Sequence, residues 1–335
     1  MAVMTYTFEL GLGSAPQEGT ANRAPVPATS VTRISRPQAS LLHIACLATR
    51  ITTVLELRLA AVEILAGQIL QIIGPNGAGK SCLVEALIGL RKCEQLEGTI
   101  LGAAPKDIHR FAGLRRRLGV QVQHSPFGHD ARTTHLLRLH KALYGSQDGR
   151  LYELLSIAEL ERRRYGELSG GERRRLDLFI ALSHHPLLAI LDEPTTGLDQ
   201  RYARDFRQYI AETRPNAATL MVTHVPDDLF IASRILWVAD GRAIAYGSPD
   251  DLLQQHLGPC RGSIVFYDRQ DLECFRRGLT SEARTFVEND CLTLYGPLDI
   301  ESDFRRATPE LRVKSYSFVR TDVSDLLWHA SRGRT

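Results

Sequence analysis

The sequence has no apolar run approaching the ~18 residues a helix needs to cross a bilayer. No helical membrane span is therefore expected, and a pore, if this chain serves one, would be another chain. Charge of one sign is also scarce. The chain has 41 Lys and Arg against 38 Asp and Glu, and the net +3 is too small a field to recruit nucleic acid. The six cysteines, Cys46, Cys82, Cys93, Cys260, Cys274 and Cys291, form no C-x-x-C pair and no zinc spacing. The first forty residues lack a basic start followed by an apolar core, so no secretory signal is expected. Gly11 to Pro37 is rich in Gly, Ala, Pro, Ser and Thr, which predicts a disordered extension over residues 1–40. What remains is an ordinary globular composition, 44% apolar and 24% charged, in a chain of 335 residues long enough for two cores.

The most informative segment is Gly74-Pro75-Asn76-Gly77-Ala78-Gly79-Lys80-Ser81, a phosphate loop of the form G-x-x-x-x-G-K-S. The run Ile69 to Ile73 before it reads as a buried strand, and Cys82 to Ile88 after it has helical spacing, as the motif requires. Glycines let the backbone aim N–H groups at phosphate oxygens, and the N-terminus of the helix adds positive partial charge there. Lys80 is expected at the β- and γ-phosphates, and the Ser81 hydroxyl on Mg²⁺.

Further elements address the same ligand. Pro186 to Leu191 is a short apolar run that ends in Asp192-Glu193, as a central parallel strand delivers acids to its C-terminal edge. Asp192 suits the shell of a Mg²⁺ ion and Glu193 suits a water. Leu168-Ser169-Gly170-Gly171-Glu172 is a polar turn that opens a helix; alone it reads as an N-cap by Ser169.

With Gly197-Leu198-Asp199, Thr223-His224 and the segment Gly119 to Gln123, these motifs stand in an order similar to that of ABC-type ATPases, over roughly residues 41 to 250. That resemblance implies an ATPase using ATP and Mg²⁺, with two such domains facing head to tail across each nucleotide. Gly74 to Cys82 would cradle the phosphates of ATP, while Ser169, Gly170 and Gly171 would bind the γ-phosphate from the opposite domain. Glu193 would polarise the attacking water, His224 would contact the γ-phosphate, and Gln123 would touch both Mg²⁺ and water. Ser81, Gln123 and Asp192 are the implied metal contacts, and Asp199 would hold the register of the dimer. An intracellular ATPase would keep its cysteines reduced.

One position departs from the pattern. The family stacks adenine on an aromatic residue upstream of the phosphate loop, yet Thr49 to Leu55 contains none. Arg50 or Ile51 takes that place, and a guanidinium can stack on a base. The runs Arg115 to Arg117, Arg162 to Arg164 and Arg173 to Arg175 read as solvated helix faces, though the last could supply field near the phosphates.

The expected fold is α/β, a P-loop NTPase of ABC type over residues 41–258 with an inserted helical subdomain over about 124–168. Strands are expected at 41–47, 55–60, 69–73, 187–191 and 219–223 in a mostly parallel sheet, closed by a hairpin around Asp240-Gly241. Helices are expected at Thr134 to Leu143 and Leu151 to Ile157. After Gly258-Pro259, residues 259–335 read as β-α-β-β-α-β plus a last helix, a small ferredoxin-like α+β domain suited to regulation or dimerisation. This arrangement resembles the cytosolic subunits of ABC-2-type exporters of drugs, antibiotics and related natural products. The implied partner is a separate polytopic permease, which would hold the chain at the cytoplasmic face of a membrane. The alternatives are the ATPase subunit of an importer and a soluble ABC ATPase without a transport role.

Overall fold

A computed structural model describes residues 39–332 apart from 53–54, 109, 124–126, 280–282, 298–299 and 308–311; the predicted N-terminal extension lies outside the described residues up to residue 38. Strands β1 (Ser40–Arg50), β2 (Glu56–Leu65) and β3 (Ile69–Ile73) lead to α1 (Lys80–Leu87). Then come β4 (Gln95–Ile100), the single turn α2 (Ala112–Arg115) and β5 (Leu118–Gln121). Helices α3 (Thr133–Tyr144) and α4 (Gly149–Leu154) precede α5 (Gly170–Leu182). β6 (Leu188–Asp192), α6 (Gln200–Thr213), β7 (Ala218–Val222), β8 (Arg234–Ala239), β9 (Arg242–Gly247) and α7 (Pro249–His256) follow.

These strands form one sheet in the order β4-β1-β2-β9-β8-β3-β7-β6-β5. The half from β8 to β5 is parallel, as expected, whereas β1, β2 and β4 pair antiparallel and make a wing the sequence did not announce. β3, β6 and β7 are buried at every position because both faces of the sheet are covered. Leu70, Ile72, Leu188 and Ile190 face a core shared with α1, β1 and β2. Ile69, Ala189, Leu191 and Met221 face the opposite core, built with α5 and the helical segment. Ser156 adopts a left-handed φ of +48°, which ends the helix expected to run to Ile157 and makes the rest a short 3-10 turn.

The remainder comprises β10 (Cys260–Phe266), α8 (Arg269–Gly278), β11 (Arg284–Glu288), β12 (Cys291–Gly296), α9 (Ile300–Ala307), β13 (Val313–Arg320) and α10 (Val323–Ser331). Its strands form a separate antiparallel sheet in the order β11-β12-β10-β13, the strand order of the ferredoxin-like β-α-β-β-α-β unit. β10 begins at Cys260 rather than Ser263, and Gly262 permits this, since the Phe318 ring lies where a β-carbon would stand. Alternation along β10 buries Ile264 and Phe266 against Leu272, Phe275, Ile300 and Phe304. Arg261 and Ser263 point to the other face.

Helix α10 returns to the first sheet. An Asp322 capping box starts it, and Leu326, Leu327 and Ala330 bury themselves against Ile73, Trp237 and Leu252. Each buried leucine contributes about 2 kcal/mol. The described residues after Gln38 thus pack as one unit.

Candidate functional site

The phosphate loop leaves β3 at Ile73 and must cross the neighbouring strand closely. Gly74, at φ +147°, would place a β-carbon 1.9 Å from the Val238 carbonyl oxygen, so no side chain fits there. Gly79 caps α1 at φ +99°, and a β-carbon on it would fall 2.5 Å from Cδ1 of Ile51. Lys80 opens the helix and is buried; its Nζ donates to the carbonyl oxygens of Gly74 at 2.8 Å and Pro75 at 2.9 Å. Burial pushes the Lys80 ammonium below its ordinary pKa, with Glu193 and Asp192 pulling the other way. A cation thus sits in the mouth of a loop at the positive end of a helix.

Two carboxylates face it from the end of β6. Asp192 is buried, and burial raises its carboxyl above the usual range while a hydrogen bond from Ser81 opposes that shift. Its Oδ1 has no hydrogen-bond partner among the described residues. Gln121 Nε2 donates to the Asp192 carbonyl at 3.1 Å, tying the tip of β5 to that of β6. Glu193 turns off the strand with φ +53°, a left-handed conformation that costs roughly 1 kcal/mol outside glycine. Its N–H still donates to Val222 at 2.9 Å, and its Oε1 lies 3.1 Å from Nδ1 of His224, half-exposed just beyond β7.

Asp228, fully buried, holds this rim together. Its Oδ2 accepts hydrogen bonds from Thr195 and Thr223, each at 2.7 Å, and its Oδ1 pairs with Arg207 at 3.3 Å. Its carbonyl accepts from Gln71 of β3 at 3.0 Å. One carboxylate therefore fixes the residues beside both Glu193 and His224, together with the strand that feeds the phosphate loop. Nothing in the sequence distinguishes Asp228 from Asp227, so neither pattern nor spacing could have selected it. Gln121 was hidden likewise beside Gln123.

A cavity of about 1050 Å³ gathers Pro75, Asn76, Gln123, Glu193 and His224 along one side. A smaller one, about 190 Å³, brings Gln123 to Ser81 and Asp192. Ser169, Gly170, Gly171 and Asp199 line neither. Ser169 instead caps α5, its Oγ accepting from Glu172 N at 3.2 Å while Glu172 Oε2 accepts from Ser169 N at 2.7 Å. That backbone donor, helped by Arg163 at 2.6 Å, holds the Glu172 carboxyl below its usual range. Gly171 packs so near the Gly197 carbonyl that a β-carbon would approach to 2.9 Å. Asp199 begins α6 but makes no side-chain cap bond. Cys82 lies half-buried in the first turn of α1, and all six cysteines are free thiols.

Two expectations sharpen. Arg50 reaches outward to Glu94 at 3.1 Å, whereas Ile51 lies on the phosphate loop. The run Arg173 to Arg175 is not one solvated face, because Arg175 is buried, donating to Leu155 O and Tyr202 OH and stacking 4.4 Å over the Tyr202 ring. Packing, not solvent, takes that charge.

A phosphate loop at a helix start, with consecutive carboxylates closing the same rim, defines a P-loop nucleoside triphosphatase. The family model for the ABC transporter matches residues 57–196. The Nod factor export ATP-binding protein I of Cupriavidus metallidurans is 33% identical over 244 residues, 70% of this chain and 79% of that protein. The doxorubicin resistance ATP-binding protein DrrA of Mycobacterium tuberculosis is 30% identical over 246 residues, 69% of this chain and 73% of that protein. The sulfate/thiosulfate import ATP-binding protein CysA of Nocardia farcinica is 33% identical over 201 residues, 57% of this chain and 60% of that protein, so the chain spans less than two thirds of it. The chain belongs to the ABC transporter family, as one of its ATP-hydrolysing subunits.

Proposed function

We propose that two copies of the ATPase region face each other head to tail, hydrolyse ATP, and drive a separate polytopic permease that exports a drug, antibiotic, peptide or related natural product. The observation that carries the hydrolytic part is the Glu193–His224 pair, 3.1 Å apart beside the buried Lys80. Glu193 accepts the proton of the attacking water, and His224 orients it against the γ-phosphate. Lys80 and the loop N–H groups hold the β- and γ-phosphates, and Ser169 with the N–H groups of Gly170 and Gly171 meets the γ-phosphate from the other copy. Asp199 sets the register between the copies.

The unpaired Asp192 Oδ1, next to the Ser81 hydroxyl and the cavity shared with Gln123, suits a hard divalent cation. Ser81, Asp192 and Gln123 would hold Mg²⁺, which when bound neutralises phosphate charge. Ile51, rather than Arg50, presents its aliphatic surface to the base.

No helix among the described residues is long and apolar enough to cross a membrane. We therefore assign the pathway to a partner chain, with this one on the cytoplasmic face. Export is favoured because the Nod factor export and doxorubicin resistance relatives named above are covered to 79% and 73% of their length, against 60% for the import relative. Import is the second reading, favoured by that last relative. Extraction from membranes should yield a polytopic protein with this chain, and inside-out vesicles should accumulate cargo on adding ATP. Accumulation only in right-side-out vesicles loaded internally with ATP would establish import.

A further inference from the structure

Strand β5 stops pairing with β6 at Gln121, opposite Leu191, before either strand reaches the catalytic rim. The Gln121 side chain carries the connection further. It is buried, and its Nε2 donates to two carbonyl oxygens, that of Val122 at 2.7 Å and that of Asp192 at 3.1 Å. One amide nitrogen thus ties together the backbones leaving both strands. Only this face of the amide fits, because the amide oxygen in its place would meet two acceptors.

Those carbonyls belong to peptide groups that aim site residues. The Val122 carbonyl lies in the peptide that leads into Gln123. The Asp192 carbonyl lies in the peptide between Asp192 and Glu193, whose N–H donates to the Val222 carbonyl at 2.9 Å. This second peptide is therefore gripped at both ends, by Gln121 on one side and by β7 on the other. Rotation about the bond that follows gives Glu193 its left-handed φ of +53°, a strained state that persists only where the surroundings over-determine it. Gln121 supplies one of the two restraints. It does so with its own Oε1 buried and without a hydrogen-bond partner among the described residues, a desolvated acceptor that an apolar side chain would avoid. The side chain leaves one polar atom stranded while fixing two backbone carbonyls to each other.

We propose that Gln121 is a positioning residue for hydrolysis: it holds the backbone leading to Gln123 and the strained backbone of Glu193 in one arrangement, so that the Glu193 carboxylate meets its water without rearranging. This rests on Glu193 as the proton acceptor and adds the side chain that aims it. Gln121 lines neither of the cavities that gather the site residues, so it acts through the two peptide groups alone.

The test is a cycle of full-chain variants. Gln121→Met removes both donors at nearly the same volume and should lower kcat ~10-fold with the ATP dissociation constant held within ~2-fold, because the phosphate cradle is untouched. In the Glu193→Gln background the same change should lower the residual turnover by less than ~2-fold, since the group it aims is already gone. Hydrogen exchange should rise in peptides spanning Val122-Gln123 and Asp192-Glu193 and stay unchanged in α1. Gln121→Asn, whose amide stops a methylene short of the carbonyls, should repeat the pattern and serves if Gln121→Met does not fold. Ordinary kcat in Gln121→Met, or a loss of equal size in both backgrounds, overturns the positioning role while leaving Glu193 its own. Exchange raised throughout the chain, or failure of both variants to fold, assigns Gln121 to stability alone and overturns it too. Ordinary turnover in Glu193→Gln overturns both readings.

Discussion

The two sheets bury their strands in different ways, and the difference separates chemistry from contact. In the nine-stranded sheet β3, β6 and β7 are buried along their whole length, so only their ends reach the surface. Gly74, Glu193 and His224 sit at those ends. In the four-stranded sheet β10 alternates, giving one apolar face to α8 and α9 and leaving polar side chains spread along the other. A sheet covered twice can act only through its tips; the four-stranded sheet, whose second face α10 covers in part, at Phe286 and Tyr295, offers an area.

Substitutions at the two places should break or sharpen that contrast. The largest effects belong to the tips. Glu193→Gln should lower ATP turnover ~10²-fold or more while nucleotide binding persists, because it removes the water's proton acceptor and leaves the phosphate cradle whole. Lys80→Ala should instead lose binding. Phosphate release and nucleotide titration separate the two, and ordinary turnover in Glu193→Gln would move the chemistry elsewhere.

Next comes Asp228. Asp228→Ala leaves two buried hydroxyls without their acceptor and takes one of the two carboxylate partners of Arg207, which keeps Asp227, at a cost of about 3 kcal/mol of stability. Thr293→Ala, on the open face, should stay within about 0.5 kcal/mol. Chemical denaturation of both variants would show whether tip and face differ as claimed; equal losses would erase the distinction.

A smaller effect lies where the regions meet. His329 is buried, neither ring nitrogen has a hydrogen-bond partner among the described residues, and it packs edge-on to Trp237 and Phe286. Burial lowers its pKa from 6.5 to about 4, with Arg284 and His256 acting in the same direction. The unfolded imidazole binds its proton more readily than the folded one. The associated stability is therefore complete above pH 6.5 and is lost progressively as pH falls toward about 4. His329→Phe should flatten that decline, as followed by tryptophan fluorescence across the same range. The smallest effect is expected at Arg50. Since its side chain pairs with Glu94, Arg50→Ala should leave the ratio of ATP to GTP turnover unchanged; a lost preference would show that the guanidinium stacks on the base.

What the sequence made legible is what local chemistry dictates. The phosphate loop needs glycines at particular backbone angles, and apolar runs ending in acids announce strand tips, so Gly74 to Ser81 and Asp192-Glu193 could be read directly. Element order in the C-terminal region was readable too, down to the limits of α9 and α10. Partners set by long-range packing were not. β4 is a polar edge strand, Gln-Leu-Glu-Gly-Thr-Ile, whose pairing with β1 leaves no apolar signature. Asp228 acts through Thr195, Thr223, Arg207 and Gln71, whose convergence exists only once the sheet is assembled. Ile51 was separated from Arg50 only by its seat on Gly79.

Ile73, the last residue before the phosphate loop, belongs to the same apolar cluster as Leu326 and Ala330 near the end of α10. Unfolding the helix would uncover the strand that launches the loop, so the two regions should melt as one cooperative unit. Calorimetry should then record a single transition despite two sheets, and amide hydrogens of α10 and β3 should exchange with similar protection. Cutting the chain at Gly258 would not release an independent ATPase body; it would bare Trp237 and Leu252 to water and leave a product prone to self-association.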